Sequence, residues 1–214
     1  MKVIIQIVLW IVIVVLVYFN YKAIYGPVDF NKSKEKRYEK VINKMDKIRQ
    51  AQLAHRDVIG KFTGSFDSLT RFIDTAEFTL TQRRDTSFLD KEYLKIYGVD
   101  KMVEDVVIDT LGTVKVKDSL FKNYDYSNFE IVPTTKNAKF QMDAGFVNVN
   151  NNRVPVFEAK VNKSVILEGL DPELIVQEKQ TISVDGVNGA FIRVGSMNEV
   201  NTSGNWPINY GKQE

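Results

Sequence analysis

The sequence contains no cysteine and a single histidine among its 214 residues. The chain therefore has no disulfide, no thiol nucleophile, no cysteine-ligated zinc or iron–sulfur site, and no metal centre built from several histidines. It also lacks a glycine-rich phosphate loop, a G-x-S-x-G nucleophile elbow and an H-E-x-x-H zinc motif. We interpret the histidine, His55, as a solvated side chain on the face of a helix. These absences predict a protein that is not an enzyme, with no catalytic residue.

The chain also has no large excess of positive or negative charge. Lys and Arg total 29 and Asp and Glu total 27, so the formal net charge is only +2. The basic and acidic residues are mixed along the chain, whereas a nucleic-acid surface concentrates basic residues. We therefore expect no nucleic-acid partner. The hydrophobic content of 44% suits one membrane anchor followed by globular structure.

A long apolar run at the N-terminus is the strongest pattern in the sequence. Residues 3–19 read VIIQIVLWIVIVVLVYF, and as a helix they cover about 25 Å, close to the hydrocarbon thickness of a bilayer. A cleavable signal peptide is the alternative, but Phe19, Asn20 and Tyr21 are too bulky for a small-x-small cleavage site. We predict an uncleaved transmembrane anchor over residues 1–25. The residues assigned to it are Val3, Gln6, Trp10 and Phe19.

A second helical pattern follows the anchor. Gly26 and Pro27 predict a break, after which Asn31 or Ser33 caps a new helix. Over residues 34–59 apolar side chains recur every three or four positions, which places them on one stripe. That stripe lies either on the chain's own sheet or against a partner helix, because both uses need the same pattern. The candidate partner-helix face is Tyr38, Ile42, Met45, Ile48, Leu53 and Ile59.

Gly60 is predicted to end this helix, because glycine readily adopts the left-handed conformation that follows a helix C-terminus. Ser65 is predicted to cap a short helix over residues 67–74. Residues 26–75 therefore form one predicted segment, made of an amphipathic helix, a glycine break and a short helix. The mixed-charge run over residues 32–47 is interpreted as a solvated face that can also contact lipid headgroups or a partner.

Beyond residue 76 the hydrophobic period changes to that of strands. The predicted strands are rich in β-branched or alternating apolar residues. They cover residues 78–82, 103–109, 114–118, 129–133, 181–184 and 190–194. The predicted fold class is α+β: a transmembrane helix continues into an amphipathic helix that packs on a mainly antiparallel β-sheet head over residues 76–214.

Turn signals connect these strands. Residues 109–113, DTLGT, are predicted to form a hairpin turn. Residues 148–153, NVNNNR, are predicted to join a longer hairpin made of residues 140–147 and 154–161. Asp171 followed by proline predicts a helix start.

Spaced residues around Gly60 carry a resemblance to a known family. They are Ile48, Ala51, Gly60, Phe62, Leu69 and Ile73. Their spacing resembles the end of the first helix and the following helical turn in type IV pilins and the pseudopilins of type II secretion. Residues 204–206, GNW, look like the Asn-Trp phrase that closes some major pseudopilins. The chain is also similar to single-pass envelope proteins of Gram-negative bacteria that share the phrase GKFTGSFDSL.

The resemblance implies an inner-membrane, single-pass protein with a periplasmic head. Basic residues favour the opposite orientation, because only Lys2 precedes the span while five Lys or Arg residues follow it within residues 22–37. Prepilins carry a basic leader ending in glycine and a glutamate at the fifth mature position. Here Met1 and Lys2 precede the run and Gln6 stands where that carboxylate is expected. We therefore expect no prepilin processing.

Oxygen donors cluster in loops near the C-terminus. The resemblance implies a calcium site in this region, because major pseudopilins bind calcium there. The candidate ligands are Asp185, Asn188, Asn198 and Glu199. Turn chemistry alone also favours Asp, Asn and Gly, so a site and a set of turns are both open interpretations. No other cofactor is expected.

Three functions fit the sequence. The first is a non-enzymatic, pilin-like subunit of an envelope assembly, which packs against copies of itself or against other membrane proteins. The second is a bitopic scaffold that does not polymerise and serves a secretion, gliding-motility or lipid-export machine. The third is a membrane-tethered enzyme or small-ligand binder that uses the C-terminal loops. The absence of catalytic motifs makes the third the weakest of these hypotheses.

Overall fold

The structure of the chain, a computed structural model, describes residues 2–208 and 210. Met1, Asn209 and residues 211–214, which belong to the predicted anchor and head, lie outside the described residues. The helices described are α1 Lys2–Ile59, α2 Phe66–Thr75, α3 Lys91–Tyr97, α4 Val116–Leu120, α5 Lys163–Ile166 and α6 Pro172–Gln180. The strands described are β1 Glu77–Leu89, β2 Met102–Lys115, β3 Gln141–Val149, β4 Asn152–Asn162 and β5 Phe191–Gly195.

The predicted α+β class is confirmed, with one long apolar N-terminal helix and small antiparallel sheets. The chain divides into two compact units. The first unit comprises the described residues up to Phe66 and those from Ser127 onward, and its sheet has the strand order β3-β4-β5. The second unit is Asp67–Tyr126 and contains the two-stranded sheet β1-β2.

Helix α1 runs through Gly26 and Pro27 without a break, so the predicted interruption is wrong. The predicted caps, Asn31 and Ser33, lie in the helix interior. Proline removes only one backbone donor, and the hydrogen bonds of the neighbouring turns keep the helix continuous. The rings of Tyr21 and Tyr25 also stack at 4.4 Å across the turn before the proline.

The end of α1 is built by the residues that follow it. Gly60 has φ of +85°, as its predicted C′ position requires, and its N–H donates to the carbonyl of Arg56 at 2.7 Å. The chain then folds back along the helix, where the amide of Gln52 exchanges two hydrogen bonds with the backbone of Thr63, at 2.6 and 3.1 Å. His55 Nδ1 donates to the carbonyl of Lys61 at 2.5 Å.

The solvated position predicted for His55 is therefore wrong. Its side chain is buried, because the segment after Gly60 covers this part of α1. The imidazole serves as a hydrogen-bond donor to the backbone carbonyl of Lys61, in the turn that follows the helix. Its role in this structure is to close the helix end.

The three-stranded sheet has one apolar face and one charged face. Strand β4 pairs with β3 on one side and with β5 on the other, both antiparallel. Side chains alternate along each strand, so directly paired residues share a face. The apolar face includes Met142, Phe157, Ala159, Val161, Ile192 and Val194, all of them buried. The other face carries Asp143, Glu158, Lys160 and Arg193.

The buried stripe of α1 covers the apolar face of this sheet. Helix α1 contacts β5, the Gln52 amide reaches the sulfur of Met142 at 3.1 Å, and Phe62 after the helix meets Phe157 with 4.7 Å between ring centroids. Burial of each large apolar side chain contributes about 1.5–3 kcal/mol to stability. This contact forms the core of the first unit.

The predicted long hairpin is confirmed as β3 and β4. Its tight turn contains Asn150 and Asn151 with φ of +48° and +64°, as a two-residue type I′ turn requires.

The predicted start of α6 is confirmed as well, because the side chain of Asp171 accepts from the N–H of Glu173 at 2.9 Å and proline occupies the first helical turn. The last predicted strand, residues 190–194, is confirmed as β5.

Two short strands predicted in the first unit are wrong. Residues 129–133 form only an isolated bridge between Ile131 and Lys139. Residues 181–184 do not form a strand, and Ile182 and Val184 are 91% and 92% exposed. Their apolar alternation resembles a strand, but neither segment has a neighbouring strand with which to exchange a ladder of hydrogen bonds.

The second unit is built around an antiparallel ribbon of β1 and β2. The predicted hairpin turn at residues 109–113 is wrong, because these residues lie inside β2. Gly112 pairs with Leu80, and Thr110 pairs with Thr81, so Leu111 is an extra residue in the ladder. The glycine that signalled a turn instead belongs to a β-bulge.

The connection between β1 and β2 is a capped helix. The side chain of Asp90 accepts from the N–H of Tyr93 at 3.0 Å at the start of α3, and Gly98 ends the helix with φ of +67°. The predicted strand over residues 114–118 is wrong in its second half, since α4 begins at Val116. The short helix predicted over residues 67–74 is confirmed as α2, which buries Leu69, Phe72 and Ile73.

Candidate functional site

The first half of α1 exposes apolar side chains around its whole circumference. Among the residues predicted to form the anchor, Val3, Trp10 and Phe19 are 66%, 68% and 60% exposed, and Gln6 is exposed beside them. The most apolar 18-residue window has a mean hydropathy of 2.7, and none of it is buried. The helix is therefore long and apolar enough to cross a membrane.

Most of the candidate partner-helix face is covered by the chain's own fold. Tyr38, Ile42, Met45 and Ile48 are buried within the chain's own fold. Leu53 is half-buried and Ile59 is 49% exposed. Most of the stripe therefore serves the chain's own core, and only its C-terminal end remains accessible.

A buried lysine lies where α1 meets the loops of the first unit. Lys163 is fully buried, and its ammonium group donates to the side chain of Glu178 at 2.9 Å, to the carbonyl of Glu178 at 2.9 Å and to the carbonyl of Val187 at 2.7 Å. These acceptors account for all three ammonium protons. The ammonium also lies 5.8 Å from the ring centroid of Tyr38.

Glu178 connects this lysine to α1. One carboxylate oxygen accepts from Lys34 at 2.9 Å, and the other accepts from the hydroxyl of Tyr38 at 3.3 Å as well as from Lys163. The side chain is only 9% exposed, so these charge-assisted bonds form in a region of low dielectric. We call Lys34, Tyr38, Lys163 and Glu178 the α1 clamp, because they join α1 to α5 and α6.

The electrostatics of the α1 clamp follow from its burial. Burial lowers the pKa of Lys163, while its hydrogen bond to Glu178 and the negative charge there oppose that shift. Burial, the charge of Glu178 and the nearby Tyr210 raise the pKa of Tyr38. Burial, followed by the charges of Glu35 and Glu178, also raises the pKa of Tyr210. The phenols therefore stay neutral while the lysine and glutamate act as a hydrogen-bonded pair.

Two further basic residues of α1 bind backbone carbonyls. One terminal nitrogen of Arg37 donates to the carbonyls of Ile166 and Glu168, both at 2.9 Å. Lys44 donates to the carbonyls of Asn128 and Ile131 at 2.5 and 2.7 Å. Part of the charged run predicted as a solvated face therefore fastens α1 to the unit it packs against.

The charged face of the sheet lines an open cleft of about 960 Å³. The carboxylate of Glu158 is 2.6 Å from the ammonium of Lys160 and 3.8 Å from the guanidinium of Arg193. Asp143, Phe191 and neighbouring loop residues complete the lining. A small polar ligand here would have to compete with ion pairs that the chain already makes.

The Gly-Asn-Trp phrase closes the C-terminal loop on the edge of the sheet. The side chain of Asn205 accepts from the N–H of Arg193 at 2.9 Å and donates to the carbonyls of Asn188 and Phe191 at 3.1 and 2.8 Å. Gly204 lies under Trp206, and a Cβ at that position would approach the indole ring to 2.4 Å. This phrase therefore has a structural role in β5 and its loop.

The four candidate calcium ligands do not all line the same pocket. Asn188 and Asn198 line the open cleft, and Asn198 and Glu199 line a smaller neighbouring pocket, whereas Asp185 lines neither. The side chain of Asn188 accepts from the N–H of Ser183 at 2.8 Å, as a turn residue does. Within residues 2–208 and 210, no group of three or more acidic or histidine side chains is placed to hold a metal ion.

Sequence reasoning missed the α1 clamp. Its members lie at positions 34, 38, 163 and 178, and no short motif joins positions so far apart. One signal was available, because Lys34 and Tyr38 are four residues apart and share one face of α1. A lysine on the apolar stripe of a helix needs a buried acceptor, which predicts a carboxylate in the partner element.

Replacing Glu178 by alanine is expected to lower the free energy of unfolding by about 3–5 kcal/mol, because Lys163 then stays buried without its carboxylate. The double variant Lys163→Met with Glu178→Leu should recover much of that loss, since it removes both charges. Urea unfolding measures these differences. The exposed Glu173→Ala on the same helix is the control and should change stability by less than about 0.5 kcal/mol. Equal losses in the single and double variants would contradict this account.

Tyr38→Phe is expected to make the fold less sensitive to alkali. The pKa of Tyr38 is raised above its ordinary value of 10.0, so the folded state holds the phenol proton more tightly than the unfolded chain does. That proton contributes stability that is complete below about pH 10 and is lost as the pH rises toward the folded pKa. Phenylalanine has no such proton, and at neutral pH it should lose only about 1 kcal/mol for one hydrogen bond.

The measurement is the free energy of unfolding of wild type and variant at about pH 8 and about pH 11. The wild type should lose more stability than Tyr38→Phe over this interval. The exposed Tyr97→Phe is the control and should behave like the wild type. Parallel losses in the wild type and Tyr38→Phe would show that the phenol of Tyr38 does not control the alkaline limb.

Comparisons of the chain with known protein families, curated proteins and solved structures find no match. The features of the chain that bear on its function are the exposed apolar half of α1, its buried stripe and the α1 clamp.

Proposed function

We propose that the chain is a non-enzymatic, single-pass membrane subunit of a bacterial envelope assembly, with a pilin-like or pseudopilin-like architecture. One observation carries this proposal: a single helix, α1, is apolar and exposed around its circumference in its first half and buries one stripe under its own sheet in its second half. A helix that is apolar on all sides suits a bilayer. A helix with one apolar stripe suits the surface of a globular unit.

The continuity of α1 supports a mechanical role. Its 58 residues correspond to about 87 Å of uninterrupted helix. The α1 clamp, Arg37 and Lys44 fasten the second half of the helix to the first unit. No flexible linker separates the apolar half from the clamped half, so a force on the anchor would pass directly to the folded unit.

Burial of the stripe limits where this helix can meet partners. Tyr38, Ile42, Met45 and Ile48 are already covered, so helix packing between chains falls to the apolar first half. Gln6 is the one amide in that apolar run. A glutamine at membrane depth favours hydrogen bonding to another helix. The partners we propose are the membrane, other envelope proteins and further copies of this chain.

A non-polymerising scaffold of a secretion, gliding-motility or lipid-export machine is the second candidate. Gln6 favours it, because the pilin resemblance implies a carboxylate at this position that neutralises the terminal amine of a neighbour in the filament. A neutral amide cannot supply that charge. The two candidates share the anchor and the clamp and differ in whether copies of the chain contact each other through α1.

Cross-linking in native membranes is expected to separate these candidates. A pilin-like subunit should give a long series of cross-linked homo-oligomers. Gln6→Leu and Gln6→Glu should both change the yield of these oligomers, because the residue lies at the proposed helix contact. Mass spectrometry of the linked chains identifies their composition. Val14→Leu, another exposed position of the apolar run, is the matched control. Discrete products containing other envelope proteins, unchanged by either Gln6 variant, would contradict polymerisation and favour the scaffold.

We further propose that the anchor lies in the inner membrane with the folded units in the periplasm. Because the chain has no cysteine, Ser203→Cys introduces a single thiol at an exposed position. An impermeant maleimide added to cells with a permeabilised outer membrane should label it. Labelling after complete lysis is the control for thiol reactivity. Labelling only after lysis would place the folded units in the cytoplasm, as the distribution of basic residues favours.

A further inference from the structure

The ribbon of the second unit has two open edges. Strands β1 and β2 pair along 13 positions, and no other strand among residues 2–208 and 210 pairs with either of them. A two-stranded ribbon is only marginally stable by itself, and an open edge presents unpaired N–H and C=O groups to any strand that can align with it. An edge of this length is a natural site for strand addition.

The side chains of β2 suit pairing with another strand. Val106, Val107 and Ile108 are 38%, 40% and 66% exposed, although strands favour these β-branched types, and Leu111 at the bulge is 66% exposed. Cross-strand contacts with β-branched residues are a main source of sheet stability. A strand added beside β2 would give these side chains new cross-strand neighbours on both faces of the ribbon.

The charges of the two strands identify the strand that would fit. The middle of β1 contains Arg83 and Arg84 with one carboxylate, Asp85. The matching part of β2, residues 103–110, contains three carboxylates and no basic residue. Within the ribbon Arg84 already forms an ion pair with Asp109, and the two side chains remain 63% and 39% exposed. The same pairing can therefore be repeated on the outer edges.

We propose that the outer edge of β2 in one copy of the chain pairs with the outer edge of β1 in a second copy. The alternative pairings of like edges are disfavoured, because β2 beside β2 opposes carboxylates and β1 beside β1 opposes arginines. Strand directions alternate along β1, β2, β1 and β2 of successive copies, so the enlarged sheet stays antiparallel. The contact joins two different surfaces, and it can extend from copy to copy.

This inference goes beyond the proposed function, because it assigns self-association to a surface that does not depend on the anchor. It is tested with two variants of the full chain in mild detergent, Ser87→Cys in β1 and Glu104→Cys in β2. These residues pair directly within the ribbon and are both exposed, so the substitutions should preserve the fold. A short bismaleimide then links thiols that come close together.

A mixture of the two variants should give several-fold more linked dimer than either variant alone. The yield should fall as salt is raised, because the contact pairs exposed charges. A mixture of Ser87→Cys with Ser203→Cys is the matched control for simple crowding of chains through their anchors, and it should give little dimer. This control keeps a membrane contact from being mistaken for a ribbon contact.

Equal dimer yields in the single-variant samples and the mixture would overturn the proposed pairing, because they would show contact between like edges or crowding. Absence of dimer in every sample would overturn it as well. The proposed function fails separately: if α1 still forms cross-linked homo-oligomers in membranes while the ribbon thiols give no dimer, only the ribbon contact is wrong. If the ribbon thiols link but the Gln6 variants change nothing, self-association belongs to the ribbon.

Discussion

One helix, α1, carries two different patterns of apolar side chains along its length, and the rest of the first unit depends on the second of them. The first half of α1 carries apolar side chains on every side. The second half carries them on one stripe, which covers the apolar face of the sheet β3-β4-β5. The segment after Gly60 adds to this cover, because Phe62 packs against Phe157. Removing the stripe would therefore leave the core of this unit open to water.

An apolar stripe alone does not determine how a helix sits on a sheet, because sliding or rotating it by one turn exchanges similar side chains. The α1 clamp removes this freedom. Glu178, which Lys163 holds in place, accepts from both Lys34 and Tyr38 of α1, and a shift of the helix by one turn would move at least one of these two donors out of reach. We infer that the bonds of Glu178 to α1 contribute more to a single helix position than to net stability, since desolvation of the buried charges offsets much of their attraction.

Features that depend on residues close together in the sequence could be predicted, whereas features that depend on distant residues could not. The β3-β4 hairpin, the start of α6 and the end of α1 depend on residues within a few positions, and all three are confirmed. The turn predicted at Gly112 is a bulge, because glycine signals either feature and only the partner strand decides between them. The break predicted at Pro27 is absent, because the neighbouring turns of α1 keep the helix continuous. His55 is buried because the chain folds back along α1, and Lys163 is buried against residues distant in sequence. The hydrophobic periodicity of the sequence carries no information about either contact.

The open ribbon and Gln6 both bear on how copies of the chain associate with each other. A neutral residue at position 6 argues against assembly only if the membrane helices carry the contact between copies. The complementary edges of β1 and β2 offer a second contact, with its own direction and its own charge pairing. A chain that associates through such edges needs no carboxylate in its anchor, because the anchor then only confines copies to the membrane. Confinement raises their effective concentration, so even a weak edge contact would join them.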